Sequence, residues 1–261
     1  MDISEHNRAA WNRQSREGSE WTTPVGPLEI REARKGVWSV RLTPTRTVPR
    51  DWFGEVVRGK RILCLASGGG QQAPSLAAAG AAVVSLDLSD EQLARDREVA
   101  DREGIELQLI QGSMGNLQLL ANASFDLIFN PVSTVFIPEV RPLWRECFRV
   151  LRPGGALLTG FMNPTFFLFD HDEAGRTGAL VARHGLPYAE STADDLSPDR
   201  RKAIQSGEAL EFSHSLDAQI GGQLEAGFLL VGFYEDWWTD EATPLNRLCP
   251  TSMATRALRP A

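Results

Sequence analysis

Three consecutive glycines are followed, seventeen residues later, by a carboxylate, and these residues could form a ligand site together. Gly68, Gly69 and Gly70 would let the backbone turn sharply and let a ligand approach the main chain. The N–H groups at the start of a following helix would then bind acceptor atoms of that ligand. Asp87 could accept hydrogen bonds from the two hydroxyls of a ribose. These residues predict a site for a nucleoside-containing cofactor.

The elements around these residues should place them at one edge of a sheet. Residues 62–65 form a short apolar run that ends at the glycines, which is typical of a buried strand. A helix is predicted over 72–79, closed by Gly80, and a second apolar strand over 82–86 leads to Asp87. Since the carboxyl ends of parallel strands meet at one edge, Asp87 and the glycine turn should lie close together.

The glycines alone leave several interpretations open. A dinucleotide site requires G-x-G-x-x-G, and the frame that starts at Gly68 puts Ala73 at the third glycine, which the relaxed motif permits. Other nucleoside cofactors use the same geometry, and a plain strand-to-helix turn can also carry three glycines.

Strands and helices alternate along the rest of the chain. Ser4 is the predicted N-cap of a first helix that runs to about Arg16, and Ser89 the predicted N-cap of a helix over 90–103. This alternation predicts an α/β fold with a mainly parallel sheet and right-handed crossovers. The other predicted helices are 139–150 and 216–226, and the other predicted strands are 107–111, 125–129, 156–161, 228–237 and 251–258.

Composition excludes several classes of function. The 261 residues carry a net charge of −7, which argues against a nucleic-acid groove because such a groove needs a basic face. No apolar run approaches the ~18 residues of a membrane span, and the N-terminal residues lack a signal-peptide core. We therefore expect no nucleic-acid or membrane partner and a cytoplasmic location.

The cysteines and histidines do not indicate a metal site. Cys64, Cys147 and Cys249 are far apart and have no C-x-x-C spacing, so small buried residues are the simpler interpretation. The four histidines form no H-x-x-x-H pair. No protein-bound metal is expected.

Five segments together resemble the class I S-adenosylmethionine-dependent methyltransferases that act on small molecules. They are ILCLASGGG at the glycine turn, LDLS with the ribose carboxylate, GSM at the adenine-binding turn, FDLIFN at the fourth strand and LRPGG before the fifth. The resemblance covers residues 59–161, and the FDLIFN and LRPGG pair is its most specific part. It implies a doubly wound, Rossmann-like, seven-stranded sheet with an antiparallel last strand, and S-adenosyl-L-methionine as the cofactor.

The resemblance also implies roles for individual residues. Gly68 and Gly70 would line the methionine portion of the cofactor, Asp87 the ribose, Ser113 and Met114 the adenine, and Asn130 the region near the reactive methyl. Trp21, in a proline-stiffened segment, suits a lid over a ligand. The full expected cofactor-binding set is Trp21, Ala66, Gly68, Gly70, Gln71, Asp87, Leu88, Ser113, Met114 and Asn130.

The sequence departs from the family pattern at three positions. The residue that matches Cys64 is usually acidic, the one that matches Ala66 is usually glycine, and the one that matches Ser113 is usually aspartate. The missing acid at position 64 removes an anchor often used for the ammonium end of the cofactor. Either the N-terminal lid compensates or cofactor affinity is reduced or lost.

The chain divides into four predicted parts. They are an N-terminal helix and lid segment (1–58), a cofactor-binding core (59–161), a substrate-cap insertion (162–214) and a C-terminal helix with a strand hairpin (215–261). The insertion carries aromatic residues that would suit an apolar pocket, and Tyr188 and His214 are the candidate catalytic residues, with His214 as a general base that faces the cleft.

The sequence favours a methyltransferase that acts on a small metabolite through an unknown acceptor atom. An NAD-type oxidoreductase, a non-catalytic cofactor-binding domain and a family member with other chemistry remain as alternatives.

Overall fold

Seven strands form one sheet in the order β3-β2-β1-β4-β5-β7-β6. In the computed structural model, which describes residues 2–192 and 196–261, the first five strands pair in parallel. The last strand, β7, runs antiparallel between β5 and β6. The prediction of a mainly parallel seven-stranded sheet with an antiparallel last strand is therefore confirmed.

The strands are β1 (Arg61–Leu65), β2 (Ala82–Asp87), β3 (Leu107–Gln111), β4 (Phe125–Asn130), β5 (Leu151–Met162), β6 (Leu229–Asp236) and β7 (Ser252–Leu258). The helices are α1 (Ile3–Glu17), α2 (Pro27–Arg34), α3 (Gln72–Ala78), α4 (Asp90–Glu103), α5 (Arg141–Val150), α6 (His171–Thr177), α7 (Pro198–Gln205) and α8 (Gly222–Glu225). Short 3-10 turns occupy Glu20–Thr22, Arg50–Phe53, Thr134–Phe136, Pro164–Leu168 and Pro244–Arg247, and a π-helical turn, Asp217–Gly221, leads into α8.

Both faces of the central strand β1 are buried, which explains why its residues 62–65 are all apolar. Ile62 and Cys64 of β1 face a cluster that includes residues of α3 together with Trp52 and Phe53. The alternate residues of β1 face a second cluster built on α5, with Trp144 fully buried. The sheet is therefore a rigid base, and its carboxyl edge is the part left to bind a ligand.

Three local expectations need correction. The N-cap of α1 is Asp2, whose Oδ1 accepts from the Glu5 N–H at 3.2 Å, so Ser4 lies inside the helix. The strand β5 begins at Leu151, directly after α5, because the LRPGG segment pairs with β4 through a register shift rather than forming a separate turn. The expected helix over 216–226 is split into a π-helical and an α-helical turn. Ser89 does cap α4, accepting from the Gln92 N–H at 3.1 Å.

The segment before β1 lies against the carboxyl half of the sheet. The carbonyl oxygen of Leu42 accepts a hydrogen bond from the N–H of Val132, in the loop after β4, at 2.9 Å. The same carbonyl lies so close to Gly160 of β5 that a Cβ at position 160 would overlap it. Glycine at this position therefore lets the N-terminal segment reach the loop that follows β4.

We expect Gly160→Ala to lower the free energy of unfolding by about 2 kcal/mol, because the added methyl overpacks the contact with Leu42. Urea unfolding measures the change. Gly175→Ala is the matched control, since a methyl at this position in α6 meets no atom within 4 Å. Equal urea midpoints for the two variants would contradict the close approach.

Residues 162–214 pack beside the sheet edge rather than extending it. The predicted cap insertion contains α6 and α7, and residues 193–195 within it lie outside the described residues, as does residue 1 of the predicted N-terminal part. In the part of the chain that is described, no helix is long and apolar enough to cross a membrane.

Candidate active site

A cavity of about 990 Å³ opens at the carboxyl edge of the sheet. Its lining includes the glycine turn and Asp87, which we call the cofactor end, and side chains from α1, the loop after β4 and the 162–214 segment, including Glu211, which we call the aromatic end. Small-molecule sites span roughly 300–1,000 Å³. The cavity is therefore large enough for a nucleoside-containing ligand together with a second small molecule.

The N-terminal segment is bonded directly to the glycine turn. The Val25 N–H donates to the carbonyl oxygen of Gly70 at 2.8 Å, and Pro24 lies so near Gly70 that a Cβ there would be 2.8 Å from that of the proline. Gln71 donates through its amide to the carbonyl oxygens of Glu20 (2.7 Å) and Thr23 (3.0 Å). Gly70 has φ +74°, which favours glycine. These bonds make residues 19–26 a lid on the turn.

Asp96 of α4 supports the glycine turn from below. Its carboxylate accepts from the Gly70 N–H and from the Ser85 hydroxyl, both at 2.7 Å, and its exposed fraction is 2%. Burial raises the pKa of Asp96 to about 7, because its effect is larger than that of the two hydrogen bonds, which lower the pKa. The charge of Asp96 adds to the effect of burial in raising the pKa of the Cys64 thiol. Asp96 therefore lies near Cys64, the position at which the family usually has an acidic residue. A carboxylate is thus present below this turn, contributed by α4 instead of β1.

Asp87 ends β2 at the cavity wall and is half-buried. Its Oδ1 accepts from the Ser89 N–H at 2.8 Å, which fixes the carboxylate relative to the start of α4. Burial raises the pKa of Asp87 to about 7, and the nearby Asp96 adds to the rise. A carboxylate with one oxygen fixed by the main chain can accept further hydrogen bonds from ligand hydroxyls.

Eight of the expected site residues line this cavity: Trp21, Ala66, Gly68, Gln71, Asp87, Leu88, Ser113 and Met114. Two further lining residues, Ser67 and Gln92, were not predicted. Ser67 Oγ and Gln92 Oε1 are buried and have no hydrogen-bond partner among the described residues. Unpaired buried polar atoms in a cavity wall fit a ligand with hydroxyl, amino or amide groups, as an adenosyl amino acid has.

Gly70 and Asn130 do not line the cavity. Gly70 lies beneath the lid, as described above. Asn130 is fully buried, and its amide donates to the carbonyl oxygen of Leu65 (3.1 Å) and to the Ser133 hydroxyl (2.8 Å). Its Oδ1 accepts from Thr159 Oγ1 at 3.0 Å. Asn130 therefore joins the ends of three neighbouring strands and fixes the loop that begins at Pro131.

The two candidate catalytic residues also lie outside the cavity lining. His214 is buried, and its Nε2 is 3.0 Å from the carbonyl oxygens of Thr134 and Ile137, so it braces the loop after β4 instead of facing the cleft. Burial lowers the pKa of His214. The ring of Tyr188 stacks on Phe167 with centroids 6.2 Å apart, and its buried backbone N–H donates to Ser213 Oγ at 2.6 Å.

Two tryptophans meet at the cavity mouth. Trp21 of the lid and Trp238, which follows β6, pack edge to face with centroids 5.7 Å apart, and both line the cavity. Trp21 is 36% exposed. Large, partly exposed rings at the mouth can shield a bound ligand from water.

The aromatic end of the cavity has a wall of rings that could be predicted from the sequence only in part. Four rings line this end: Trp11, Phe136, Phe166 and Phe167. Trp11 and Phe136 pack edge to face at 4.9 Å. Phe166 and Phe167 were predicted as pocket or cap residues, whereas Trp11 and Phe136 were not.

Asn7 of α1 joins the segments that form the aromatic end. Its amide donates to the carbonyl oxygens of Phe136 (3.0 Å) and Leu210 (3.1 Å), and its Oδ1 accepts from the Leu210 N–H at 2.8 Å. Asn7 was missed because a single polar residue in an amphipathic helix has no distinguishing pattern. Glu211, the next residue after Leu210, was missed too, although an acid between Leu210 and Phe212 is a charge inside an apolar run.

Within residues 2–192 and 196–261, no group of three or more histidine, cysteine or acidic side chains could hold a metal ion. Cys64 and Cys147 are buried free thiols, and Cys249 is half-buried.

A doubly wound sheet with a glycine turn after one strand and a carboxylate at the end of the next is the arrangement of enzymes that bind a nucleoside-containing cofactor. Residues 63–159 match a family model described as a methyltransferase domain. A Bacillus subtilis protein named uncharacterized methyltransferase YbaJ is 46% identical over 255 residues, which are 97% of each chain. The chain therefore belongs to the class I methyltransferase family, is an enzyme and uses S-adenosyl-L-methionine, as predicted.

Solved structures agree on the fold. An S-adenosylmethionine-dependent methyltransferase from Mesorhizobium loti has a TM-score of 0.60 at 21% identity and covers 78% of this chain and 92% of its own. A methyltransferase from Methanosarcina mazei has a TM-score of 0.55 at 16% identity and covers 82% and 98%. The dinucleotide oxidoreductase alternative gains no support from these comparisons.

Proposed function

We propose that this methyltransferase acts on a small metabolite bound at the aromatic end of the cavity. One observation carries the proposal: a single cavity extends from Asp87 and Gly68 to the rings of Trp11 and Phe136. A cofactor at the first end leaves an apolar, ring-walled space next to it. A cytoplasmic location remains a prediction from composition.

In this proposal the carboxylate of Asp87 accepts hydrogen bonds from the ribose hydroxyls of the cofactor. Leu88, Ser113 and Met114 border the adenine, and Gly68 allows the methionine portion to approach the main chain. Ala66, which replaces the usual glycine, has φ +44° and keeps the same bend. Ser67 and Gln92 provide the additional polar partners that the unpaired atoms indicate.

The remaining predicted residues act by positioning. Gly70 and Gln71 hold the lid through Val25, Glu20 and Thr23. Asn130 fixes the loop after β4, whose Ser133 and Val135 line the cavity. Tyr188 and His214 brace the walls of the aromatic end.

S-adenosylmethionine supplies a methyl group on a sulfonium sulfur, which is already activated toward a nucleophile. The protein then has three tasks: to align the acceptor atom with that carbon, to exclude water and to take a proton when the acceptor carries one. The lid with Trp21 and the opposite Trp238 would exclude water, and the aromatic wall would orient the acceptor.

Calorimetry with S-adenosylmethionine, S-adenosylhomocysteine and NAD tests the cofactor part of the proposal. We expect micromolar affinity for both adenosyl compounds, on the order of −8 kcal/mol, and no measurable binding of NAD. Formation of S-adenosylhomocysteine with a panel of phenols, amines, thiols and keto acids tests turnover. Binding without turnover across a wide panel would favour a non-catalytic domain or a member with other chemistry.

A further inference from the structure

Glu211 places a carboxyl group in the wall of the aromatic end of the cavity. The residue is half-buried, and its side chain has no hydrogen-bond or ion-pair partner in the part of the chain that the structure describes. Its main chain is fixed, because its N–H donates to Glu190 Oε2 at 2.8 Å and the next N–H, of Phe212, donates to the carbonyl oxygen of Val135 at 2.8 Å. A free carboxyl is thus held on a fixed backbone beside the loop after β4.

The cation that acts on Glu211 is already bonded to other groups. Arg200 of α7 binds both oxygens of Glu190, at 2.6 and 2.7 Å, and also bonds to the carboxylate of Glu208 at 2.8 Å and the carbonyl oxygen of Ala209 at 2.9 Å. Arg200 therefore stabilises the scaffold around Glu211 without pairing with it.

The charges that act on Glu211 oppose one another. Arg200 favours its ionised form, whereas Glu190, Glu208 and Asp172 disfavour it. Burial is the largest effect, and together these groups raise the pKa of Glu211 to about 7. A carboxyl group with this pKa can exchange a proton at neutral pH, which is the range in which a general base is most effective.

The surroundings of this carboxyl are apolar or already hydrogen-bonded. The rings of Phe136 and Phe167 line the same end of the cavity, and the amide of Asn7 uses its hydrogen bonds on main-chain groups of Phe136 and Leu210. Ring walls favour a planar or apolar molecule, and one unpaired carboxyl favours a molecule with one O–H or N–H group to donate.

We propose that Glu211 is the general base of the reaction and that the acceptor is an aromatic or otherwise apolar small molecule with a hydroxyl or amine nucleophile. The inference rests on the proposed function. The acceptor atom forms a bond to the methyl carbon while the carbon–sulfur bond breaks, and that bonding pair stays on sulfur. The proton of the acceptor moves to the Glu211 carboxylate and then to water.

Glu211→Gln tests the assignment, because the amide keeps the volume but takes up no proton at neutral pH. Glu208→Gln is the matched control: it removes a carboxylate three residues away that pairs with Arg200, as Glu211 does not, and that does not line the cavity. By calorimetry, we expect both variants to bind S-adenosylhomocysteine within about twofold of the unmodified protein, since neither residue is placed at the cofactor end.

The protonation of Glu211 can be measured without a known substrate. In protein labelled with ¹³C at glutamate carboxyls and saturated with S-adenosylhomocysteine, we expect a signal that titrates near pH 7 and shifts when phenol is added. That signal should be missing in Glu211→Gln and present in Glu208→Gln.

Turnover gives the second measurement. With phenols or arylamines from the panel that are methylated, we expect Glu211→Gln to lower kcat by about 100-fold or more, the typical contribution of a general base. At saturating S-adenosylmethionine, the unmodified protein should lose activity as the pH falls below about 7. Glu208→Gln should show the same loss at a somewhat lower pH, because Glu208 disfavours the ionised form of Glu211. The residual activity of Glu211→Gln should not show this loss.

Three results would overturn the proposal. The first is a Glu211 signal that titrates in the ordinary acidic range or ignores phenol while S-adenosylhomocysteine is bound. The second is unchanged kcat in Glu211→Gln, and the third is a higher KM with kcat and pH profile unchanged, since a purely binding role predicts that pattern. If the unmodified protein does not bind S-adenosylhomocysteine, the proposed function itself is refuted. This result is distinct from a failure of the Glu211 assignment alone, in which the unmodified protein still binds S-adenosylhomocysteine.

Discussion

Asp87→Ala is expected to weaken the binding of S-adenosylhomocysteine by at least about 100-fold at pH 8. The carboxylate at the end of β2 would accept both ribose hydroxyls, and each hydrogen bond to a charged group contributes about 1.5–3 kcal/mol. Losing two such bonds corresponds to two or more factors of ten in the dissociation constant. Calorimetry measures the loss directly.

Asp101→Ala is the matched control for Asp87, since Asp101 is an exposed carboxylate on α4 that does not line the cavity. It should bind S-adenosylhomocysteine like the unmodified protein. Equal affinities for the Asp87 and Asp101 variants would refute the ribose assignment.

The affinity should also depend on pH. The pKa of Asp87 is raised to about 7, and ribose hydroxyls prefer the ionised form as an acceptor, so binding must release a proton at lower pH. Affinity should therefore fall as pH is lowered through 7, approaching a tenfold loss per pH unit. Asp87→Asn should be nearly flat over the same range, and this variant also controls for titration of the ligand's own amino group.

Asp96→Ala is expected to lower the free energy of unfolding by about 2–5 kcal/mol. It leaves the buried Gly70 N–H and Ser85 hydroxyl without acceptors, and each unsatisfied group costs about 1–3 kcal/mol. Asp96→Asn should cost much less, because an amide oxygen can still accept from Gly70 while the Ser85 hydroxyl reorients to accept from the amide. Urea unfolding at pH 5 and pH 8 measures both variants.

The pH dependence of the same variants has a definite sign. The pKa of Asp96 rises from 3.8 to about 7 on folding, so between these values the folded protein keeps a proton that the unfolded chain has lost. The free energy of unfolding contributed by this group falls as pH rises through that window. Asp96→Asn should therefore reduce the decline between pH 5 and pH 8. A decline as steep as that of the unmodified protein would contradict the buried carboxyl.

The parts of the fold and site that could be predicted from the sequence are those with local signals. The glycine turn, the strand before it and Asp87 lie within a single β-strand, helix and β-strand unit, so their relative placement follows from the topology. Asp96 lies 26 residues from Gly70 and is one of many charges on α4. Its position three residues after Leu93 and four before Ala100, on the buried side of the helix, was the available signal.

The aromatic end of the cavity depends on contacts between distant segments. Leu210 and Asn7 are 203 residues apart, and no motif marks either one. The prediction for His214 rests on its residue type and its place before a predicted helix, but whether its ring faces the cleft depends on its contact with the carbonyl oxygen of Thr134, 80 residues earlier. Hydrophobic periodicity along the sequence does not indicate which distant segments contact one another, so this end of the site could be found only from the structure.

The position of β7 has a consequence for synthesis on the ribosome. Among the residues that the structure describes, strand β6 pairs only with β7, which is translated about fifteen residues later and inserts between β6 and β5. While the nascent chain lacks β7, β6 has no neighbour on either side, and Leu229, Val231 and Phe233 remain about half exposed even in the finished protein. This strand is therefore where a chaperone or a second nascent chain would first make contact.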